Sequence, residues 1–185
     1  AKINNSVVLD NCIIEDEVVL ANNVQVGGHV LIQNKAIIGG SCAVHQFSRV
    51  GQSAMVGGMT GVLSDVIPFG LSLGNRNNLS GLNLIGLRRA GISNSDIKIM
   101  EESYNFIFRT SGFRLNIENL DDNLKNNKYV KIIIDFINTD KSCLYRIIFN
   151  LYENALKFGN LVNINVIKES NYYMTNTTPK NNSKE

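Results

Sequence analysis

The sequence predicts a parallel β-helix over residues 1–70, followed by a helical region. An aliphatic residue recurs at every sixth position without interruption, at Val8, Ile14, Leu20, Val26, Ile32, Ile38, Val44, Val50, Val56 and Val62. A second position, four residues later, is always small or β-branched, at Cys12, Val18, Val24, Val30, Ala36, Cys42, Ser48, Ala54, Thr60 and Val66. Glycine follows the aliphatic residue at Gly27, Gly39, Gly51 and Gly57, which predicts corners with unusual backbone angles. A fixed short period of this kind is typical of a solenoid in which each six-residue unit supplies one flat strand.

A proline marks the predicted end of the repeat. Pro68 falls where the eleventh aliphatic residue is due, and proline cannot donate to a strand ladder. A first helix is then expected, capped by Asn78 or Ser80 and running to about Arg89. The sequence thus changes from a six-residue to a helical pattern soon after residue 70.

Residues 71–158 are predicted to form an α-helical domain. Its second helix is expected to begin at Ser95 and to end at Gly112. Two further helices are expected over residues 116–127 and 128–139, and residues 140–158 continue with a weaker helical pattern.

Residues 159–185 are predicted to be a largely disordered extension. Residues 161–167 alternate like a strand, but the sequence offers no obvious partner for it. From Lys168 onward the chain is polar and rich in Asn, Thr and Lys, a composition that buries little apolar surface.

The composition indicates a soluble cytoplasmic protein. Of 185 residues, 44% are hydrophobic and 18% are charged, and the formal net charge of +2 gives no reason to expect nucleic-acid binding.

No apolar run approaches the ~20 residues that cross a bilayer, and no export signal is visible. Three cysteines are too few for a disulfide framework, so Cys12 and Cys42 are interpreted as packing residues in a reducing compartment. The chain starts inside the repeat, which suggests that amino-terminal coils are missing.

The repeat also selects candidate functional residues. With three six-residue units per coil, residues 18 apart stack at roughly one strand spacing, ~4.8 Å. Asp10, Gly28 and Gln46 then form one column, with His29 and His45 beside it. One interpretation is a substrate groove with an imidazole or carboxylate for proton transfer; the other is an ordinary solvated turn region. A three-histidine zinc site is excluded, because the chain has only two histidines.

Basic residues near the predicted first helix are candidates for anion binding. Arg88 and Arg89 could bind phosphate oxygens through their guanidinium groups. Arginine at a helix C-terminus is also favourable for electrostatic reasons alone, so both interpretations stay open. Arg76 and Asn83 are weaker candidates on the same connection.

Four segments carry a family resemblance. GGHVLIQNKAIIGGSCAVHQF (27–47), VGGMTGVLSDVIPFG (56–70), GN (74–75) and GLNLIGLRRAG (81–91) resemble the acyl-[acyl-carrier-protein]–UDP-N-acetylglucosamine O-acyltransferases, over residues 5 to about 147. The resemblance implies a left-handed parallel β-helix followed by an α-helical C-terminal domain, assembled as a homotrimer with active sites between neighbouring β-helices. It implies transfer of a 3-hydroxyacyl chain from acyl carrier protein to the 3-hydroxyl of UDP-N-acetylglucosamine, the first step of lipid A biosynthesis.

The resemblance also implies roles for individual residues. Gly28 matches the backbone N–H that stabilises the thioester oxyanion, and Asp10, helped by His29, stands at the position of the general base. Substrate binding is implied for His45, Gln46, Gly58, Asn83 and Arg89, with Arg76 as a further candidate. Gly58 matches the position that sets acyl-chain length. No cofactor and no metal are implied, since the acyl donor is carried as a phosphopantetheine thioester on acyl carrier protein.

Departures from the family pattern bear on the mechanism. Asp10 replaces the family's general-base histidine and, with ordinary pKa values of ~3.9 against ~6.5, a carboxylate is the weaker base. Val7 replaces a neighbouring histidine, and Ile85 and Ala90 replace polar residues. Two alternatives therefore stay open: an inactive remnant or scaffold subunit of the same family, and another hexapeptide acyltransferase that uses acyl-CoA.

Overall fold

The computed structural model describes residues 1–109 and 112–139, together with the backbone of residues 162–169 and 172–179. The chain divides after Thr139 into two units, which are described separately. Secondary structure within the first unit changes from short strands to helices near residue 83, and the second unit contributes one strand pair.

Two-residue strands recur every six residues in the first unit. They are β1 Lys2–Ile3, β2 Val7–Val8, β3 Ile13–Ile14, β4 Val19–Leu20, β5 Gln25–Val26, β6 Leu31–Ile32, β7 Ile37–Ile38, β8 Ala43–Val44, β9 Arg49–Val50, β10 Met55–Val56 and β11 Gly61–Val62. They stack in parallel as sheet A (β1, β4, β7, β10), sheet B (β2, β5, β8, β11) and sheet C (β3, β6, β9). The predicted parallel β-helix is therefore confirmed, while its left-handedness stays a prediction.

Both periodic positions face the interior of the solenoid. Every member of the two registers from Val18 to Val66 is buried, so the six-residue period is the period of the core. Cys42 lies among these residues, and its thiol donates a hydrogen bond of 3.0 Å to the carbonyl of Gly57. Burial raises the pKa of the Cys42 thiol, as expected for a packing residue.

The corners correct one interpretation of the sequence. Left-handed φ values fall on a non-glycine residue of each corner, such as His29 at 59° and Phe47 at 64°. Gly27, Gly39, Gly51 and Gly57 are not in that region. At Gly27, Gly39 and Gly51 the backbone of the next coil approaches closely: a Cβ at Gly39 would lie 2.5 Å from the amide nitrogen of Gly58. At Gly57 a Cβ would instead meet the Leu73 side chain. The expected role of these glycines in unusual backbone angles is therefore wrong.

The solenoid also continues beyond Pro68. Val66 follows Val62 after four residues instead of six and bridges to Val50. Strand β12 (Gly70–Leu73) then stacks on β10, with Ser72 opposite Val56. The predicted stop at Pro68 is wrong. The turn after Val62 is two residues shorter than in the repeat, and Val66 and Ser72 therefore take the next interior positions.

Strand β13 (Asn78–Leu82) pairs antiparallel with β12 and occupies the segment where the first helix was expected to begin. The helices are α1 Leu84–Arg89, α2 Asn94–Phe108, α3 Phe113–Glu118, α4 Asp122–Lys125 and α5 Lys128–Asn138. No helix in the described ranges is long and apolar enough to cross a bilayer. Their apolar faces form a second core that contains Leu87, Ile97, Met100, Ile107, Val130 and Ile133.

Three predicted helix boundaries need correction, and the single helix predicted over 116–127 is replaced by α3 and α4, which are separated by residues 119–121. Asn83, instead of Asn78 or Ser80, caps α1 through Gly86 N–H. Ser93, instead of Ser95, caps α2 by accepting from Asp96 N–H. Gly112 has φ of 84° and precedes α3, whereas α2 already ends at Phe108. Asn83 and Ser93 lie two to five residues from the predicted caps, and each accepts from a backbone N–H of the first turn of its helix.

The second unit contains an antiparallel pair, β14 (Val162–Glu169) and β15 (Tyr172–Pro179). The strand predicted over 161–167 therefore has a partner. Residues 162–169 and 172–179, which fall in the extension predicted to be largely disordered, are strands in the structure. The weak helical pattern predicted for residues 140–158 lies outside the described residues.

One buried arginine joins the solenoid to the helices. Arg49 is 9% exposed, and its guanidinium lies 2.6 Å from the Asp65 carboxylate. Its Nη1 donates to the carbonyls of Phe136 at 3.1 Å and Thr139 at 2.9 Å, at the C-terminal end of α5. The guanidinium carbon is 4.2 Å from the centre of the Phe136 ring. Since α5 has no basic residue in its last turn, the solenoid supplies the positive charge that this helix end favours.

Replacing Arg49 by methionine should destabilise the protein strongly. The change removes the guanidinium donors to Asp65 Oδ2 and to the carbonyls of Phe136 and Thr139, while the backbone N–H of residue 49 still donates to Asp65 Oδ1, and we expect the free energy of unfolding to fall by about 3 kcal/mol. Urea unfolding would measure this change. The control is Lys35→Met, which removes an exposed ion pair with Glu17 of 3.6 Å and should cost less than ~1 kcal/mol. Equal losses for the two variants would contradict the importance of the Arg49 contacts.

Gly39 and Gly40 are a matched pair for testing whether the short distance between coils excludes a side chain. An added Cβ at Gly39 meets backbone atoms of Gly57 and Gly58 at 2.5 to 2.8 Å, whereas at Gly40 the nearest atom is the Asn22 carbonyl oxygen at 3.3 Å. We expect Gly39→Ala to lower the free energy of unfolding by about 3 kcal/mol and Gly40→Ala by less than ~1 kcal/mol. Thermal unfolding of both variants would check the order, and a smaller loss for Gly39→Ala would refute it.

Candidate functional site

A groove lies on the outer face of sheet B, along the corner at which the chain passes to sheet C. We call this the B–C corner; it contains residues 10–11, 28–29 and 46–47. The groove has a volume of 390 Å³ and is lined by Val7, Leu9, Gln25, Val26, Gly27, Gly28, Ala43, Val44, His45 and Gln46. Gly27 and Ala43 carry little side chain, so space remains above the strands.

The predicted column of Asp10, Gly28 and Gln46 is present in the structure. An ideal Cβ on Gly28 would lie 3.3 Å from the Asp10 carbonyl oxygen, which places the two residues one above the other. The His29 N–H donates to the Asp10 carbonyl at 3.0 Å, and the Phe47 N–H donates to the Gly28 carbonyl at 3.0 Å. Backbone hydrogen bonds between coils therefore fix the positions of these residues.

The Gly28 N–H has no acceptor among the described residues. At the corner between sheets C and A, the equivalent amides are capped by side chains: Asn34 N–H donates to Glu15 at 3.0 Å, and Gln52 N–H donates to Gln33 at 3.1 Å. The residues equivalent to those acceptors at the B–C corner are Leu9 and Gly27, which have no side-chain hydrogen-bond acceptor. The Gly28 amide therefore stays available to an oxygen atom of a ligand.

The two imidazoles have different surroundings. His45 lines the groove, and its Nδ1 lies 3.1 Å from the Gln46 carbonyl oxygen. A carbonyl only accepts, so this contact requires the proton of the neutral ring to be on Nδ1, which leaves Nε2 as an acceptor. His29 is exposed and stacks on the Phe47 ring, with centroids 4.9 Å apart and planes 13° from parallel.

The structure brings together only part of the predicted set. Gly28, His45 and Gln46 share the groove, whereas Asp10 and His29 stand on the same corner but do not line it. Asp10 is exposed. These five residues form one surface, as the 18-residue spacing predicted.

The remaining predicted residues lie elsewhere on the chain. Gly58 stacks over Gly40 on the corner between sheets A and B. The Asn83 side chain donates to the Ser53 carbonyl at 3.1 Å and accepts from Gly86 N–H, so it anchors α1 to the third corner. Arg76 is exposed between β12 and β13, and Arg89 is exposed at the end of α1. Nothing in the described part of one chain brings these four residues to the groove.

Sequence reasoning missed residues that organise this surface. Phe47 is 5% exposed and supports the His29 ring, yet it falls outside both periodic registers. Leu9 matters because it replaces a hydrogen-bond acceptor, and only a comparison between the three corners reveals that. Arg49 was also missed, although a charged residue at the first position of a strand was a visible signal.

Comparisons with known proteins give one consistent family. The family model described as "Udp N-acetylglucosamine O-acyltransferase; Domain 2" matches residues 65–150. The acyl-[acyl-carrier-protein]–UDP-N-acetylglucosamine O-acyltransferase of Gloeothece citriformis is 42% identical over 131 residues, which cover 70% of this chain and 47% of that protein. The enzyme of the same name from Agrobacterium fabrum is 44% identical over 108 residues, covering 58% of this chain and 40% of its own.

A solved structure extends the likeness to the fold. The UDP-N-acetylglucosamine O-acyltransferase of Moraxella catarrhalis matches with a TM-score of 0.67 and 39% identity, over 71% of this chain and 51% of that one. The chain thus spans about half the length of the relatives that it matches. The sequence identity and the structural likeness agree: the chain belongs to the UDP-N-acetylglucosamine O-acyltransferase family.

Proposed function

We propose that this chain takes part in transfer of a 3-hydroxyacyl group from acyl carrier protein to the 3-hydroxyl of UDP-N-acetylglucosamine, the first step of lipid A biosynthesis in the cytoplasm. The observation that carries the proposal is the groove, in which an uncapped backbone N–H at Gly28 and the imidazole of His45 lie together. Relatives named as acyl-[acyl-carrier-protein]–UDP-N-acetylglucosamine O-acyltransferases match 70% and 58% of this chain, which supports the proposal.

Acyl transfer from a thioester to a sugar hydroxyl requires two features of the protein. The carbonyl oxygen of the thioester becomes an oxyanion as the sugar hydroxyl attacks, and a backbone N–H at hydrogen-bond distance stabilises that charge. Gly28 supplies such a donor, and the absence of a side chain leaves room for the acyl group. The attacking hydroxyl must also lose a proton, and Asp10 occupies the position at which the family resemblance expects the base.

Acyl carrier protein and UDP-N-acetylglucosamine are the proposed substrates, and a homotrimer is the proposed assembly. Gly58, predicted to set the acyl-chain length, lies on the A–B corner, whereas Gly28 and His45 lie on the B–C corner. Two corners of one prism face different directions, so a site that uses both requires a neighbouring copy. Exposed apolar side chains such as Val7 and Leu9 beside the groove are consistent with such a neighbour.

A scaffold subunit without activity is the second candidate. Asp10 does not line the groove and Val7 does, so the two positions at which the family has histidines offer no imidazole here. Under this interpretation the chain would assemble with a complete paralogue.

Acyl transfer by the purified chain distinguishes these candidates. We expect formation of 3-O-acyl-UDP-N-acetylglucosamine from 3-hydroxyacyl-[acyl-carrier-protein], followed by mass spectrometry. The same acyl group on coenzyme A is the matched donor and should react more slowly. Transfer from coenzyme A alone would favour another hexapeptide acyltransferase, and no transfer from either donor would favour the scaffold.

Gly28 offers a test of the oxyanion donor. Gly28→Ala adds a methyl group and keeps the N–H, while Gly28→Pro adds comparable bulk and removes it. The backbone at Gly28 is not in the left-handed region, and a Cβ there would lie 3.3 Å from the Asp10 carbonyl oxygen in both variants, so the comparison is made between folded variants. We expect kcat of the proline variant to be about 10²-fold below that of the alanine variant. Equal kcat values in the two folded variants would rule out the Gly28 amide as the donor.

A further inference from the structure

We propose that His45, and not Asp10, is the general base of the acyl transfer. The inference rests on the proposed function and assigns the proton acceptor at that same site. It differs from the role implied by the family resemblance, which places the base at position 10 and gives His45 a part in substrate binding.

Position favours His45. His45 and Gly28 both line the groove, whereas Asp10 is exposed on the coil below and does not line it. A base must reach the hydroxyl that attacks the carbonyl carbon, while the oxyanion donor must reach the oxygen of that same carbonyl. The two groups therefore have to face one cavity, and His45 is the titratable residue that shares the groove with Gly28.

The hydrogen bond of the ring favours the same assignment. With Nδ1 donating to the Gln46 carbonyl at 3.1 Å, the neutral imidazole keeps a lone pair on Nε2. The carbonyl also fixes the ring orientation and stabilises the imidazolium that forms when Nε2 takes a proton. Ordinary imidazoles, with a pKa of ~6.5, are better matched to neutral pH than ordinary carboxylates at ~3.9.

The proposed step is balanced within the site. The 3-hydroxyl oxygen forms a bond to the thioester carbonyl carbon as its proton passes to Nε2 of His45, and the carbonyl π electrons move to the oxygen facing the Gly28 N–H. Collapse of this intermediate restores the carbonyl and breaks the C–S bond. The leaving thiolate takes the proton from Nε2–H, so the products are an ester and the free pantetheine thiol.

The kinetic test compares His45→Gln with Asp10→Asn. Glutamine and asparagine keep polar bulk and remove the base. We expect His45→Gln to lower kcat by about 10² to 10⁴-fold with little change in KM, whereas Asp10→Asn should lower kcat by less than ~10-fold. The acid limb of the pH profile of kcat/KM should be retained in Asp10→Asn and lost in His45→Gln. The opposite order of the two losses would overturn the assignment.

A second measurement does not depend on turnover. His29→Gln leaves His45 as the single histidine of the chain, and long-range ¹H–¹⁵N spectra then report its tautomer directly. We expect a protonated Nδ1 and a bare Nε2 above the imidazole pKa; the reverse tautomer would overturn the inference. No turnover from the wild-type chain with either donor would refute the proposed function and the catalytic role together. Turnover that survives His45→Gln would refute only the role of His45.

Discussion

The whole first unit depends on vertical stacking of the backbone. Each coil places its N–H and C=O groups against those of the next coil, with residues 18 apart in register, as in Val26 with Val44. The interior admits one aliphatic and one small side chain per six residues, and both are buried from Val18 to Val66. Once these side chains are packed, no strand can slip, because a shift of one residue would expose the aliphatic position.

Arg49 extends this constraint to the helices. It stands on the outside of β9, and its contacts with Asp65 and the last carbonyls of α5 hold a helix end against the solenoid. Asp65 is available because the turn after Val62 is two residues shorter than the repeat requires. The irregularity that ends the strict period thus also provides the acceptor for the arginine.

The sequence was a good guide wherever one short period decided the structure. Strand positions, the buried registers and the column of Asp10, Gly28 and Gln46 all follow from residue number alone. It was a poor guide to the corners, since a glycine pattern does not distinguish an unusual φ from a close approach of two backbones. The sequence likewise could not show which corner amides are capped, because a capping side chain lies 18 or 19 residues away in the chain. The helix boundaries shifted for a related reason, since several polar residues near each end could serve as the cap.

The comparison of corners has a consequence for how such folds diversify. The residue directly after the buried aliphatic position carries an outward-facing side chain at Leu9, Glu15 and Gln33, whereas at Gly27 and Gly39 the next coil approaches too closely for one. Where it is glutamate or glutamine, as at Glu15 and Gln33, its side chain accepts from the amide N–H of the next coil, so that amide is not available to a ligand. Where it is Leu9 or Gly27, the same amide stays open to a ligand. This position recurs once in every six-residue unit. Where the next coil leaves room for a side chain, one substitution there can cap or free a corner amide while the hydrophobic interior remains the same.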